Sequence, residues 1–259
     1  MEIPKKDGWN VDEENIKHLE KVSLEWWDPR GIQILLHSMN PLRVEFIRDG
    51  LINTGMIKAE DRDKPDVFKG ISILDVGCGA GVLTEALAKL DANVTGLEPS
   101  EELIRVARDH IKGQPINVEY ISEYVEEHSI KNADKYDAIV ASEVVEHVPD
   151  QKAFLQELTK CLKPNGSIFI TTPNRTIFSL IMVKFIAEYI LNIIQRASHD
   201  WWHFIRPSEV ETILEEKNCK TVSVRGIWYT PFFNYFNFIR YAGIHYFLQA
   251  VKQDNKKEK

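Results

Sequence analysis

The sequence predicts an α/β fold built on a mostly parallel sheet, and three observations carry that expectation. From residue 70 onward, apolar strand-like runs alternate with amphipathic helical ones. The first such run ends in a glycine-rich turn, "LDVGCGAG", and the second ends in an acid, Glu98, roughly 20 residues further on. Ligands of parallel sheets sit at the carboxyl ends of the strands, so both features fall where function is expected.

Each element has its own signal. "ISILDVG" reads as a buried strand, "GVLTEALAKL" as an amphipathic helix, "NVTGLEP" as a second strand and "SEELIRVARDHI" as a helix capped by Ser100. The strands "NVEYISE" and "YDAIVASE", the helix "DQKAFLQELTKCLK" and the strand "GSIFITT" continue the alternation. "KTVSVRGIWY" and "GIHYFLQAVKQ" are strand-like runs with no helix between them, so they are expected to pair antiparallel at one edge. Three regions result: an N-terminal helical extension, 1–69, packed on the core; the main domain, 70–252, with an apolar insertion at about 176–206; and a charged tail, 253–259.

Composition narrows the function classes. A chain of 259 residues with 44% hydrophobic residues supports a sizeable core. The net charge of -7 and the lack of a basic stripe argue against a nucleic-acid partner. Cys78, Cys161 and Cys219 are scattered without a CxxC, which fits free thiols in a reducing compartment rather than disulfides or a zinc knuckle. The opening "MEIPKKDGWNVDEENIKHLE" lacks the apolar core of a secretory signal and is too acidic for a transit peptide. The expectation is a cytoplasmic chain or one that starts after an import cleavage.

The strand ends carry the chemistry. Gly77, Gly79 and Gly81 let the backbone turn tightly and approach a ligand, and Asp75 closes the strand before them. Glu98 stands where this fold places the acid that accepts hydrogen bonds from a ribose, so turn and acid together suggest an adenosine cofactor. The spacing is G-x-G-x-G, not that of a dinucleotide site, and Asp75 would repel a pyrophosphate. Its charge suits the sulfonium and amino group of S-adenosylmethionine, which is favoured over a dinucleotide.

In "DAIVASEVVEHV", a helix starting after Ser142 would put Glu143, Glu146 and His147 on one face. Two carboxylates and an imidazole suit a hard divalent ion such as magnesium, yet acids at a helix start are also favoured by the dipole alone; the residues by themselves leave both readings open. His147 is also a candidate general base, and His199 in "SHDWWHF" is a second, although His199 and Asp200 equally suit a loop that caps the next helix.

"TIFSLIMVKFIAEYILNIIQ" is interrupted by Lys184 and Glu188, too many charges for a membrane span. Read as a helix, it confines Lys184, Glu188 and Asn192 to one narrow polar stripe. The expectation is a cover over the active site that meets a membrane surface or a partner protein, with a packed core helix as the alternative. The aromatic "WYTPFFNYFNFIRY" either extends that apolar surface or packs in the edge hairpin.

"ILDVGCGAG", "VTGLEPS", "DAIVASEVVEHV", "LKPNGSIFITTPNRT", "SHDWWHFIRP" and the N-terminal "WWDPRG" and "NPLR" resemble the ubiquinone-biosynthesis O-methyltransferase family, mitochondrial and bacterial enzymes that methylate polyprenylated catechols. The resemblance runs from about Trp26 to about Lys252. It implies a class I S-adenosylmethionine-dependent methyltransferase fold, Rossmann-like, with a mostly parallel seven-stranded sheet. The implied reaction is methylation of the catechol hydroxyls of polyprenyl dihydroxybenzoate and demethylubiquinol in ubiquinone (coenzyme Q) biosynthesis. Gly77 and Glu98 match the family's cofactor-turn glycine and ribose-binding acid, Ser142 a position that touches the cofactor, and Arg43 an arginine beside its methionine part. A guanidinium there grips a carboxylate with two parallel hydrogen bonds, although residue type alone favours a surface salt bridge for Arg43. Glu143, Glu146 and His147 match the family's metal positions, for magnesium or a similar ion that lowers the pKa of the catechol hydroxyl and aims its oxygen at the sulfonium methyl.

The resemblance also implies partners and a location. These are the polyprenylated catechol, a membrane surface and other ubiquinone-biosynthesis proteins in a complex. The protein would sit peripherally on the matrix side of the mitochondrial inner membrane, or in a bacterial cytoplasm. A methyltransferase for a soluble small molecule and a cofactor-binding scaffold are the competing functions. Two positions depart from the family pattern. Ala80 replaces the middle glycine of a GCGGG turn and requires negative φ there; Asn165 in "LKPNG" replaces a glycine and is expected in the left-handed region.

Overall fold

A computed structural model describes residues 10–182 and 201–254, apart from 29, 32, 231 and 232. Chain order begins with helices α1 (Glu13–Lys21) and α2 (Ile34–Asn53). The alternating part follows: β1 (Ser72–Val76), α3 (Val82–Ala88), β2 (Asn93–Glu98), α4 (Glu101–His110), β3 (Val118–Ser122), α5 (Val125–Lys131), β4 (Tyr136–Ser142), α6 (Gln151–Cys161) and β5 (Leu162–Pro173). Helix α7 starts at 177 and is described to 182. Then come α8 (Pro207–Glu215), β6 (Cys219–Thr230), β7 (Tyr235–Ile239) and β8 (His245–Lys252). Helix starts follow side-chain chemistry: Ser100 Oγ accepts from the Leu103 amide and Asp150 Oδ1 from the Ala153 amide, each satisfying a donor the helix itself leaves unpaired.

The strands form one sheet in the order β3-β2-β1-β4-β5-β8-β6-β7. The first five are mutually parallel; β8 runs antiparallel between β5 and β6, and β7 pairs antiparallel with β6 at the edge. The sheet is therefore eight-stranded and mixed, which corrects the expected seven. The added strand is the second half of the aromatic stretch. Its Phe236 and Phe238, two residues apart, face the same side and pack with Tyr229, Phe46 and Phe247, so this part of the stretch belongs to the hairpin. Helix α5 is an addition to the expected elements, a short one of seven residues between β3 and β4.

Alternation along the strands divides the core into two layers. Leu74, Ile139, Ala141 and Ile170 pack with Phe154, Leu158, Val210 and Leu214 of α6 and α8. Ile73, Ala138, Val140 and Phe169 pack on the other face with Phe46, Leu51 and Leu87 of α2 and α3. Strands buried on both faces are continuously apolar, which is why "ISILDV" and "DAIVA" carry no polar alternation. Cys78, Cys161 and Cys219 are buried free thiols. Among the described residues no helix is long and apolar enough to cross a membrane; Lys184, Glu188, Asn192, His199 and Asp200 lie outside them.

Candidate active site

The carboxyl ends of β1, β2 and β4 open onto one cavity of about 460 Å³, the size range of a small-molecule site. Arg43, Asp75, Gly77, Gly79, Glu98, Ser142, Glu143, Glu146 and His147 all line it. Of the catalytic, cofactor and metal candidates named from sequence, His199 is the one that lies outside the described part of the chain.

The turn after β1 folds as its glycines require. Gly77 and Gly79 have φ of 69° and 55°, in the left-handed region. A Cβ on Gly77 would collide with Val144, and one on Gly79 with the ring of Trp26. Ala80 is not among the residues with positive φ, as its methyl group demands, and Asn165 takes φ 64°. Asp75 is buried and accepts a 2.6 Å hydrogen bond from Thr84 Oγ1; burial raises its pKa to about 6 against the pull of Thr84 and Arg43. Glu98 accepts from the Gly79 amide at 3.2 Å and the Ser100 amide at 3.1 Å, and burial, the dominant cause, raises its pKa to about 7.

Arg43 reaches this floor from α2 and is 4% exposed, which removes the surface salt-bridge reading. Its guanidinium donates to Ser142 Oγ (3.0 Å), Leu36 O (2.7 Å) and Asn40 Oδ1 (2.6 Å), while Nε is buried without a partner. Burial lowers its pKa to about 10, leaving it charged.

The segment after β4 departs from the expected helix. Glu143 stands at φ 60° and Val145–His147 form a single 3₁₀ turn, so the one-face α-helical arrangement of Glu143, Glu146 and His147 does not occur. The reason is tertiary. The Glu143 amide donates to Thr171 O at 2.9 Å, Thr171 Oγ1 donates to Glu143 Oε1 at 2.7 Å, and His245 Nε2 lies 2.8 Å from both carboxylate oxygens. A non-glycine residue held left-handed by such contacts is the kind of strain that concentrates at functional sites. Burial alone would raise the Glu143 pKa, but the charge and hydrogen bond of His245, with Thr171 and Arg43, hold it at about 2. Glu146 goes the other way: burial and then the Glu143 charge push its pKa well up, Thr172 Oγ1 donates to Oε2 at 2.8 Å, and Oε1 has no partner. Two carboxyls in one site are thus driven in opposite directions, Glu143 down and Glu146 up.

His245, Thr171 and Trp26 were missed as site residues. The signal for His245 is weak in sequence, a lone histidine opening a strand, and gains meaning only when β8 is placed beside β5. The far side of the cavity is apolar, with Ile227, Tyr229, Phe236 and Met182 among its lining residues.

The fold and this cavity define the chain as a class I S-adenosylmethionine-dependent methyltransferase. A model of the methyltransferase domain matches residues 56–224. Among solved structures, magnesium protoporphyrin IX methyltransferase from Synechocystis with bound S-adenosylhomocysteine superposes with TM-score 0.64 over 93% of this chain and all of the other, at 15% identity, a likeness of fold. The mitochondrial ubiquinone biosynthesis O-methyltransferases of Rattus norvegicus and Homo sapiens are 40% and 41% identical over 93% of this chain, which spans 70% and 65% of their lengths. The Proteus mirabilis enzyme of the same name is 35% identical, with 95% of each chain covered. The chain belongs to the ubiquinone biosynthesis O-methyltransferase family.

Proposed function

We propose that this protein transfers the methyl group of S-adenosylmethionine to catechol hydroxyls of polyprenylated ubiquinone precursors, polyprenyl dihydroxybenzoate and demethylubiquinol. The observation that carries the reading is the set of groups that one cavity gathers: the glycine turn and Glu98 of an adenosine site, the polar Arg43, Glu143 and Glu146, and apolar side chains from β6 and β7 suited to a prenyl tail. Glu98 accepts from the ribose, Asp75 faces the cofactor's positive charge, and Arg43 and Ser142 hold its methionine part. Positioning the catechol oxygen in line with the sulfonium methyl does most of the catalytic work. As the alternative to holding an ion, His147 takes up the phenolic proton as the oxygen–carbon bond forms and the sulfur–carbon bond breaks, leaving neutral S-adenosylhomocysteine. His199 is the second candidate for that proton.

Glu143, Glu146 and His147 would hold a magnesium ion. Among the described residues no three such side chains are gathered around one point, and both Glu143 oxygens face His245. The donor set nevertheless suits a hard cation, and the orphaned, buried Glu146 Oε1 is an oxygen lacking the partner a cation would provide. When bound, the ion supplies Lewis acidity that lowers the pKa of the catechol hydroxyl.

Exposed apolar side chains, Ile177 and Ile181 of α7 with Trp202, Phe233 and Tyr241, support a peripheral membrane contact. With the relatives' names they favour the matrix face of the mitochondrial inner membrane, in company with other ubiquinone-biosynthesis proteins, over a bacterial cytoplasm. The division into an extension (1–69), a methyltransferase domain (70–252) with its insertion, and a tail (253–259) is part of the same proposal. The test is turnover of a short-chain polyprenyl catechol with magnesium and then with chelator, alongside Glu143→Ala. Loss with chelator supports the metal; full turnover of Glu143→Ala with magnesium removes it; no turnover of any catechol removes the substrate.

A further inference from the structure

The two tryptophans of "WWD" end differently. Trp27 Nε1 donates to Ala80 O at 3.1 Å, whereas Trp26 Nε1 is buried with no acceptor, although Trp26 is only 5% exposed and lines the cavity. A buried N–H left unpaired is costly, so it marks a place where something else accepts. Trp26 is held in place: its ring lies against Gly79, its backbone carbonyl accepts from His37 Nε2 at 2.7 Å, and its side chain packs with Ala80, Val82 and Leu103.

Arg43 supplies a second orphan donor, Nε, at the same cavity. The two residues are linked through the backbone around them. The Arg43 guanidinium donates to the carbonyl of Leu36, whose side chain packs against the Trp26 cluster, and to Asn40, whose Nδ2 donates to Val82 O at 2.7 Å. Among the described lining residues Arg43 is the one Lys or Arg, set among the acids Asp12, Asp75, Glu98, Glu143 and Glu146. An anionic ligand group has no other lysine or arginine to seek among them.

We propose that Trp26 is a cofactor-binding residue whose indole N–H, with Arg43 Nε, donates to the carboxylate of the cofactor's methionine part. The assignment rests on the cofactor reading of the cavity given above. It explains why Gly79 must lack a side chain: the ring that closes over the turn occupies that space. It also makes the segment before α2 part of the cofactor site rather than a cover beside it.

Calorimetric titration of S-adenosylhomocysteine and of 5'-methylthioadenosine, which keeps the adenosine and the thioether but lacks the amino-acid part, separates the possibilities. Trp26→Phe keeps a ring and loses the donor. The expected result is about tenfold weaker binding of S-adenosylhomocysteine, the scale of one hydrogen bond to a charged group, with binding of 5'-methylthioadenosine unchanged. Equal weakening of both ligands would assign Trp26 to packing on the adenosine, and no weakening of either would leave it with no role in binding; each overturns the proposal. Should the variant fail to fold, wild-type protein carrying ¹⁵N-tryptophan answers the same question: one indole N–H signal should move downfield with S-adenosylhomocysteine and stay put with 5'-methylthioadenosine, and identical spectra with the two ligands refute the assignment. Wild-type protein that binds neither ligand would instead sink the cofactor reading, and this assignment with it.

Discussion

The turn after β1 and the turn after β4 lie side by side and line the same cavity, yet they hold their shapes by opposite means. At Gly77 and Gly79 the backbone is left-handed because the residue type allows it, and the space a side chain would fill is taken by Val144 and Trp26. At Glu143 the backbone is left-handed although the residue type disfavours it, and Thr171 and His245 enforce it from β5 and β8. The first turn is encoded locally and the second is imposed by tertiary contacts.

That contrast can be broken at its strongest point first. Gly79→Ala should weaken S-adenosylhomocysteine binding by about a hundredfold or more, since a strained φ and a collision with Trp26 cost roughly 1–3 kcal/mol each; calorimetry gives the answer, and unaltered affinity would mean the turn is not locally encoded. His245→Gln removes the imidazole that partners both Glu143 oxygens and should lower turnover and magnesium affinity by about 10- to 100-fold, as losing a partner behind a ligand does. Cofactor affinity should be left alone, so parallel losses in both would dissolve the distinction between the two turns.

A gentler perturbation is pH. Asp75 and Glu98 have folded pKa values raised to about 6 and about 7, so the free fold favours their protonated forms, and the stability they contribute below the ordinary carboxylate range is lost as pH rises through 6 to 7. A cofactor that needs both as anions should bind best above pH 7 and progressively less well as pH falls toward 6. Glu98→Gln should flatten the upper part of that slope in titrations across pH; an unchanged profile would mean Glu98 does not titrate with binding. The smallest effect is expected from Thr84→Val, which removes one hydrogen bond to Asp75 and should cost a few-fold in affinity, about 1 kcal/mol or less.

What the sequence conveyed follows the same division. The parallel strands, the Ser100 cap and the glycine turn were legible because hydrophobic period, capping chemistry and φ preference are properties of neighbouring residues. "GCGAG" stated its own geometry, and Asn165 announced its left-handed turn. The helix expected after Ser142 failed because nothing within "SEVVEH" reports Thr171 or His245, the latter 102 residues away. β7 was hidden for a related reason: "NYFNFI" alternates as a strand should, but its aromatic density fits a surface patch equally well until Phe46 and Phe247 are seen beneath it. Trp26 could be named as a family mark, but that its N–H is unpaired while Trp27 donates to Ala80 O shows only in the folded chain.

The position of β8 has a consequence for how the protein comes into being. It follows every other described strand in the sequence yet lies between β5 and β6, and it carries His245 to Glu143. During synthesis the glycine turn and its parallel strands can assemble while β8 has yet to emerge, but the gap beside β5 stays open and Glu143 lacks the imidazole that keeps it ionised. Cofactor-binding competence and catalytic competence are therefore expected at different moments of folding, with the second waiting for the last strand to close the sheet.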